Sequence, residues 1–431
     1  MPDSEGVDRP RQIERTTVLG KRWPLPLVLV LLLPLLAACG SGDDDGQDID
    51  WTEVAAPTAA STAASTPLSG TPAGGGAAAF VPVSLSPAEI AQYQPNEMGR
   101  IPILMYHAFT TDASKLDDWT RTPQSLREDL EWLYARDFYV VTMASMINNE
   151  IGAPPGKHPV VLTFDDSSSG QFKLIPDGKG GMAPDPDTAV GVLEAFFAEH
   201  PDFGHTAFFA VLPYKCFSFD GEQSTCEERL TWLDEHGYEI GNHTWGHENL
   251  ADVSDETLMK QVGKTKIWID ERVTGDGNLG NVLVLPFGNW PGYDWQIQML
   301  HDGFVYDGQQ IGIVGVKGGP SPSPSSGAWT RWNISRFNID HETWSYWQEQ
   351  IESGTITLFT SDGNPGTVTI PDPIPDDVAS QFDPELASSY GMKVIRYGAE
   401  PGPDKSVIAS PPPTPRTREV PSVAPRYRWM A

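Results

Sequence analysis

The strongest constraint on the fold is an alternation of short apolar runs with longer segments of helical periodicity. Runs with the length of buried strands lie at 101–106, 139–142, 159–164, 206–212, 238–241, 282–286 and 355–359. Helical segments separate most of them and lie at 123–136, 187–199, 226–236, 254–272 and 294–302. Thr122 and Ser254 precede two of these segments and are predicted helix N-caps. Strand–helix alternation of this kind predicts an α/β fold with a largely parallel sheet, either open or closed into a barrel.

The segments on either side of this pattern have the composition of unstructured chain. Residues 39–95 are dominated by Ala, Ser, Thr, Pro, Gly and Asp, and residues 401–431 are rich in Pro. Such segments bury too little apolar surface to offset the entropy lost on ordering. We therefore predict a flexible linker at 39–95, one folded domain at 96–400 and a disordered tail at 401–431. Two breaks rich in Gly, Ser and Pro, at 167–188 and 317–328, are predicted surface loops.

The N-terminus has the pattern of an export signal. A basic segment precedes the apolar run 24–38, which is about fifteen residues long, whereas roughly 20 are needed to span a bilayer. The run ends in Leu-Ala-Ala-Cys, which resembles a bacterial lipobox. That resemblance implies cleavage before Cys39 and attachment of lipid to it, while an ordinary signal peptide with a chance cysteine is the alternative. We predict a signal peptide at 1–38 and an extracytoplasmic lipoprotein anchored to a bacterial membrane without spanning it.

Charge and cysteine content limit the partners. With 29 Lys and Arg against 58 Asp and Glu, the formal net charge is −29. A nucleic-acid-binding protein needs a basic surface to displace counterions, so nucleic acid is excluded as a partner. Besides Cys39 the chain has only Cys216 and Cys226. An even pair in an oxidising compartment predicts a disulfide; two metal-binding thiolates are the weaker alternative, because no further cysteine is available. No protein partner can be inferred.

Two polar motifs follow the ends of predicted strands. Asp165 and Asp166 follow the run 159–164, and because side chains alternate along a strand, one can face a metal while the other stays free as a base. Taken alone, such a pair more often caps a helix or forms a turn. His243 and His247 follow another predicted strand, and two histidines four residues apart can bind one ion. One Asp with two His is typical of a catalytic divalent site, with zinc as the default and Co, Mn or Fe compatible with the same ligands.

A third motif, Leu-Pro-Phe-Gly at 285–288, ends the run 282–286 and predicts a sharp turn with an exposed main-chain N–H. Four motifs then occur in one order, namely IPILMYH (101–107), LTFDD (162–166), HTWGH (243–247) and LPFG (285–288). Together they resemble the polysaccharide deacetylase family, the NodB-homology group of carbohydrate esterases, over roughly residues 100–350. The resemblance implies a distorted (β/α) barrel of the NodB-homology type, with its site at the carboxyl ends of the strands.

The resemblance also implies roles for individual residues. Asp166, His243 and His247 would bind the metal, Asp165 would be the general base, and the backbone N–H of Phe287 would help to hold the oxyanion. The implied enzyme removes N-acetyl groups from a cell-envelope or exported polysaccharide and releases acetate, as a hydrolase of carbon–nitrogen bonds other than peptide bonds. Two alternatives stay open: a glycan-binding lipoprotein weakened in catalysis, and an O-deacetylase of an acetylated glycan.

The chain departs from the family pattern in three places. Val284 stands where many relatives carry an Arg, no Asp-x-x-Asp-Trp motif is evident, and Thr-Leu-Phe-Thr at 357–360 is the nearest run to the late Leu-x-His motif. These departures resemble the exopolysaccharide deacetylase branch, in which the histidine of the first motif lies near the site. His107 is therefore the first candidate for the acid and His341 the second, although a His packed at a strand end is an equal alternative for His107. Arg336 is a candidate for the charge that Val284 does not supply.

Overall fold

The computed structural model describes residues 81–398, apart from 219–223, 313 and 317. The predicted signal peptide, Cys39, most of the predicted linker and the predicted tail lie outside the described residues. Within the described part of the chain, no helix combines the length and the apolar character needed to cross a bilayer.

Short strands and helices alternate along the chain. The strands are β1 (Ile103–Tyr106), β2 (Ala108–Phe109), β3 (Thr120–Arg121), β4 (Phe138–Val140), β5 (His158–Phe164), β6 (Leu174–Pro176), β7 (Met182–Pro184), β8 (Phe208–Val211), β9 (Glu239–Asn242), β10 (Asn278–Val284), β11 (Phe304–Tyr306), β12 (Gln309–Ile311), β13 (Val314–Val316), β14 (Phe337–Asn338), β15 (Thr367–Pro371) and β16 (Lys393–Tyr397). The helices are α1 (Pro87–Tyr93), α2 (Pro123–Tyr134), α3 (Met143–Asn148), α4 (Ala189–Glu199), α5 (Cys226–Glu235), α6 (Asp255–Met259), α7 (Thr265–Asp270), α8 (Asp294–Asp302), α9 (His341–Glu352), α10 (Asp376–Ala379) and α11 (Pro384–Ser389). A π-helical turn, Lys260–Lys264, joins α6 to α7.

A parallel sheet forms the centre of the molecule. Its strand order is β13–β10–β9–β8–β5–β1–β14, with β4 also paired to β5, and every neighbouring pair is parallel. A further parallel bridge joins Val316, in β13, to Ile334, which lies just before β14. This bridge connects the two ends of the strand order, so the sheet closes on itself. The predicted α/β fold, a distorted barrel of the NodB-homology type, is confirmed.

The strands of this barrel are buried on both faces. In β5, Val160, Leu162 and Phe164 pack in one apolar cluster with the helical residue Leu126, whereas Val161 packs in a second cluster formed largely by the inward faces of the strands. This is the two-residue alternation of a strand buried on both sides. The same alternation continues past the end of β5 and decides where Asp165, the next residue, points.

The helix predictions hold closely. α2, α4, α5 and α8 lie within the predicted segments, and the segment 254–272 forms α6, the π-helical turn and α7. Both predicted caps are confirmed: the side chain of Thr122 accepts from the Ser125 N–H, and that of Ser254 accepts from the Thr257 N–H.

The central part of the predicted surface loop 317–328, residues 320–326, is largely buried, which its composition does not predict. Ser321, Ser323, Ser325 and Ser326 are all buried. Their polar groups find partners inside the protein, since the Ser321 backbone pairs with that of Ile101 and hydroxyls bond to neighbouring amides and carbonyls. Small hydroxyl side chains pack closely once their hydrogen bonds are satisfied, which a composition rule for loops does not consider.

Three further boundaries differ from the predictions. The run 355–359 forms no strand; Leu358 makes only an isolated bridge with Arg100. The predicted loop 167–188 contains the antiparallel hairpin of β6 and β7. Helix α1 lies inside the predicted linker, and its capping box of Ser86 and Glu89 explains why it forms.

Candidate active site

Strand alternation directs the side chains of Thr163, Asp165 and His107 into the barrel. Val161, Thr163 and Asp165 share one face of β5 and of the residue after it, and Ile103 begins the corresponding face of β1 that leads to His107. Asp165 is 2% exposed, and its backbone N–H donates to the Tyr106 carbonyl, which fixes the end of β5 against the end of β1.

Arg336 holds Asp165 from a neighbouring part of the barrel. Its two terminal nitrogens donate to Asp165 Oδ1 at 2.7 Å and Oδ2 at 2.6 Å, and Nη1 also donates to Thr163 Oγ1 at 3.1 Å. Both partners are buried, and bidentate geometry is the strong form of this pair. Burial alone would favour the neutral acid, but the Arg336 guanidinium outweighs it and lowers the pKa of Asp165 below its ordinary value.

His107 lies on the other side of the same carboxylate. Its Nε2 is 3.8 Å from Asp165 Oδ2, and burial lowers its pKa despite this neighbour. The ring packs edge-on against Trp119, with 4.7 Å between centroids. Gln171, which is fully buried, donates from Nε2 to the carbonyls of both His107 and Asp165, so the two loops are tied together.

Asp166 turns away from Asp165 toward the two histidines. Its φ of 75° is left-handed, which swings its side chain out of the strand alternation. Oδ1 lies 3.3 Å from His243 Nε2 and 3.4 Å from His247 Nε2. Burial acts to raise the pKa of Asp166, but His243, Lys215 and His247 together lower it below its ordinary value.

The first histidine is held in one tautomer. His243 is 2% exposed, and its Nδ1 lies 2.9 Å from the Val284 carbonyl. A carbonyl only accepts, so Nδ1 carries a hydrogen and Nε2 is the nitrogen that faces Asp166. This is the outer-shell bond that orients metal-binding histidines. Val284 therefore contributes through its backbone, although its side chain cannot replace an Arg.

The second histidine depends on a tightly bonded loop. His247 has a φ of 56°, and its N–H donates to Thr244 Oγ1 at 3.1 Å. The Gly246 N–H donates to Gln261 Oε1 at 2.7 Å, and Gln261 belongs to the π-helical turn between α6 and α7. Burial lowers the pKa of His247. The π turn thus places a side chain under the loop, in line with the frequent occurrence of π-bulges at functional sites.

The third motif forms the predicted sharp turn. Pro286–Gly288 is a short 3-10 turn in which Phe287 has a φ of 57°. Its ring is 67% exposed and lies against His247, with 4.6 Å between centroids. Among the described residues the Phe287 N–H has no hydrogen-bond acceptor, whereas the Gly288 N–H donates to Leu285. The turn leaves one donor free beside the histidine.

A lysine approaches the same site from the end of β8. Lys215 Nζ lies 3.3 Å from Asp166 Oδ2. The next residue, Cys216, forms a disulfide with Cys226 at the start of α5, as the cysteine pair predicted. Sequence reasoning missed Lys215, and also Gln171. Lys215 follows the end of a predicted strand, which is the signal that identified the two carboxylates and the histidines.

Two residues from the sequence analysis lie away from this cluster. His341 is exposed in the first turn of α9, and within the described residues no hydrogen bond or ion pair joins it to the site. Thr360, in the run closest to the late family motif, lies 3.3 Å from the ring of His158, at the opposite end of β5 from Asp165. The structure therefore does not bring either residue to the candidate site.

The donor set fits a divalent metal ion. One ligand atom each from Asp166, His243 and His247 lie within 4.8 Å of one another. Asp166 Oδ1 is buried and has no hydrogen-bond partner among the described residues, which is unfavourable unless an ion or solvent satisfies it. Two imidazole nitrogens and one carboxylate oxygen are the ligands of open catalytic sites.

Comparison with known proteins agrees with this arrangement. The family model described as polysaccharide deacetylase matches residues 208–301, which include both histidines and the Phe287 turn. None of the curated proteins matches the chain.

Similar solved structures include a deacetylase, PplD, from Streptococcus pyogenes in complex with acetate, at 19% identity, with 56% of this chain and 93% of that chain covered and a TM-score of 0.41. IcaB from Ammonifex degensii is 14% identical, with 58% and 96% covered and a TM-score of 0.40. Because these TM-scores are low, the resemblance rests on the matched segment and on the ordered motifs. Together they confirm the resemblance of this chain to the polysaccharide deacetylase family.

Proposed function

We propose that this protein is a metal-dependent N-deacetylase that hydrolyses N-acetyl groups on a cell-envelope or exported polysaccharide and releases acetate. The observation that carries the proposal is the convergence of Asp166, His243 and His247 beside a separately held carboxylate, Asp165. The family match supports deacetylation of polysaccharides in general.

Asp166, His243 and His247 are the residues that would hold the metal, with zinc as the first choice for one carboxylate and two imidazoles. Such an ion, when bound, supplies Lewis acidity and lowers the pKa of water. Asp165 lies outside this set of converging ligand atoms and is held instead by Arg336, which leaves its remaining lone pairs for a proton. The two carboxylates therefore take different roles.

Asp165 is the general base in this proposal. Arg336 keeps the carboxylate ionised and fixes its orientation, so it is ready to take a proton from the attacking water. The water oxygen attacks the carbonyl carbon of the N-acetyl group, and its proton moves to Asp165. A positioned base of this kind typically contributes about 100- to 10,000-fold in rate.

The Phe287 N–H is the chain's donor for the oxyanion that forms on the carbonyl. It lies in a turn fixed by Pro286 and by the Gly288 and Asn289 hydrogen bonds, so it needs no reorganisation during the reaction. Fixed main-chain donors of this kind are worth several kcal/mol when the site excludes water.

His107 is the acid that protonates the departing nitrogen. Its Nε2 lies 3.8 Å from Asp165 Oδ2, so a small movement lets it receive the proton taken from water. It then donates that proton to the amide nitrogen as the C–N bond breaks, giving acetate and an amine. Because burial lowers its pKa, His107 is neutral at rest and gives up a received proton readily.

The test is acetate release by the purified full chain in detergent. Substrates are N-acetylglucosamine oligomers, peptidoglycan and an O-acetylated xylan, each with the metal-loaded and the chelator-treated protein. Release from the N-acetylated substrates that chelator abolishes and zinc restores supports the proposal. Release from xylan alone makes the protein an O-deacetylase, and no release from folded, zinc-loaded protein favours a glycan-binding role.

We also propose, from the sequence alone, that the protein works outside the cytoplasm on a lipid anchor at Cys39. In the native host Cys39→Ser should move the protein from the membrane fraction to the soluble fraction. A serine variant that stays with the membrane contradicts the anchor but leaves the chemistry untouched.

A further inference from the structure

We propose that Lys215 is a resident counter-cation of Asp166 that lowers the affinity of the site for divalent metal. The inference rests on the metal site of the proposed function. It concerns a residue outside the four family motifs, and it assigns Lys215 a role in setting metal affinity.

The contact divides the oxygens of one carboxylate between two kinds of partner. Oδ1 of Asp166 faces the two imidazoles at 3.3 and 3.4 Å, whereas Oδ2 faces Lys215 Nζ at 3.3 Å. The lysine side chain is 36% exposed and that of Asp166 is 25% exposed, so solvent can reach this oxygen. The ammonium therefore binds the carboxylate without occupying the space between the imidazoles.

The turn that carries Lys215 is bonded directly to the turn that carries Asp166. The Phe217 N–H donates to the Ser167 carbonyl at 2.8 Å, and the Leu212 N–H donates to Ser167 Oγ at 3.0 Å. These bonds fix the two turns in register on each side of Lys215, so its approach to Asp166 is a built feature of the fold.

Both turns adopt strained backbone that their surroundings hold in place. Ser167, Cys216 and Phe217 have φ values of 45°, 38° and 62°, a region that non-glycine residues rarely adopt. The Cys216–Cys226 disulfide and a hydrogen bond from the buried Arg229 Nε to the Cys216 carbonyl, at 3.1 Å, restrain the turn. Strain of this kind persists only where neighbouring contacts over-determine it.

The charges of the site are balanced before any metal binds. Arg336 neutralises Asp165, and Lys215 neutralises Asp166. A divalent ion bound at Asp166 Oδ1 must therefore sit near a positive charge that its ligand already holds. Lys215 Nζ lies 3.3 Å from the other oxygen of the same carboxylate, a distance well inside the Debye length of roughly 8 Å, so salt screens this repulsion only in part.

Two effects of removing Lys215 oppose each other, and the charge effect should be the larger. Loss of an outer-shell partner of a metal ligand typically weakens binding by about 10- to 100-fold, because the ligand loses its orientation. Asp166 keeps its orientation, however, since the bonded turns fix its backbone and water can replace the lysine at the exposed Oδ2. We therefore expect a neutral residue at 215 to tighten zinc binding by about 10-fold.

The experiment measures zinc affinity by competition with a chromophoric chelator, using the full chain in detergent. Lys215→Met and Lys215→Gln should each bind zinc about 10-fold more tightly, and Lys215→Arg should bind as the wild type does. Lys266→Met is the matched control, because Lys266 pairs with Asp270 on α7 and has a similarly part-buried side chain. Its zinc affinity should not change.

A thermal melt of the metal-free proteins gives the second measurement. Without Lys215, Asp166 loses its ion-pair partner, so metal-free Lys215→Met should melt below the wild type, and zinc should raise its melting temperature further than that of the wild type. Unchanged or weaker zinc binding in both neutral variants overturns the inference while leaving the metal site standing. A folded wild type that binds no zinc overturns the metal site, and the role of Lys215 with it.

Discussion

Asp165 and Asp166 are adjacent in the chain, yet they occupy two different electrostatic environments. Asp165 is 2% exposed and accepts two short hydrogen bonds from a buried guanidinium. Asp166 has a side chain 25% exposed, and it faces two imidazoles and a part-exposed ammonium. Alternation alone would already point the two side chains to opposite faces of the strand; the left-handed backbone at Asp166 departs from it and turns the second side chain toward His243 and His247.

The difference shows how one dipeptide serves two tasks. A base must be ionised and correctly oriented before the reaction, which a buried bidentate partner provides. A metal ligand needs an oxygen with no hydrogen-bond partner that faces the other ligand atoms, which Asp166 Oδ1 provides. Asp165 and Arg336 form the base half of the site, and Asp166, His243, His247 and Lys215 form the metal half. Variants in the two halves should therefore have different effects.

Removing a residue of the metal half should abolish metal binding and activity together. Asp166→Ala and His243→Ala each lose one of three ligands, and the lost transition-state stabilisation of several kcal/mol corresponds to about 1,000-fold or more in acetate release. Metal content after dialysis and acetate release should be measured on the same samples. His341→Ala, an exposed variant on α9, should keep both, and metal retained by both ligand variants would contradict the assignment.

Changing the base half should separate the two properties. Asp165→Asn should retain zinc, because Asp165 is not a ligand, while kcat falls by about 100- to 10,000-fold through loss of the proton acceptor. Zinc content, a melting curve and kcat are needed together, since the buried Arg336 loses its counter-charge in this variant. Turnover equal to that of the wild type would remove Asp165 from the role of base.

The cations of the two halves should differ in their effect on stability. Arg336→Met leaves a buried carboxylate unpaired and should lower the free energy of unfolding by about 3 to 5 kcal/mol. Lys215→Met in the metal-free protein removes a part-exposed partner and should cost no more than about 1 kcal/mol. Denaturant titration of the two variants, side by side, measures the contrast directly. Equal losses would mean that the two carboxylates are held alike.

The disulfide should support the metal half alone. Cys216 and Cys226 close a loop with a sequence separation of 10, and the double variant to Ser should lower the free energy of unfolding by about 2 to 3 kcal/mol. Because no hydrogen bond or ion pair among the described residues joins the Asp165–Arg336 pair to Cys216 or Cys226, kcat of the zinc-saturated variant should change less than its zinc affinity. A large fall in kcat at saturating zinc would show that the two halves are coupled.

The last prediction concerns the choice of acid and uses two histidines as each other's control. His107→Ala should lower kcat by about 100-fold, at the lower end of the range for a positioned proton donor, while zinc content stays the same. His341→Ala should leave kcat unchanged, because the structure does not bring His341 to the site. Impairment of His341→Ala alone would reverse the assignment.

The sequence predicts those features of the molecule that depend only on residues nearby in the chain. Strand periodicity predicted that Asp165 and Asp166 point in different directions, and the two histidines follow the end of a strand whose neighbours also carry polar residues. The helix caps at Thr122 and Ser254 depend only on nearby backbone, and both predictions hold.

Residues placed by contacts distant in sequence were harder to predict. Lys215 approaches Asp166 because two turns are bonded through Ser167, and no pattern in the sequence records that bond. Ser321, Ser325 and Ser326 are buried because they bond to Ile101, Asn149 and Gln381, which are distant in sequence, whereas the composition of the segment indicated a surface loop. Burial of polar side chains depends on which partners the fold brings within reach.

The bridge between Val316 and Ile334 has a consequence for how such sites can change over time. Val284 pairs laterally with Val316, which in turn pairs with Ile334, so Arg336 lies only a short way around the barrel from the position where many relatives of the family carry their arginine. Around a closed ring of strands, a charge can be supplied from more than one strand and still reach the same carboxylate. A search by linear motif would score position 284 as a loss of function, whereas a search by the surroundings of Asp165 would find the guanidinium in place.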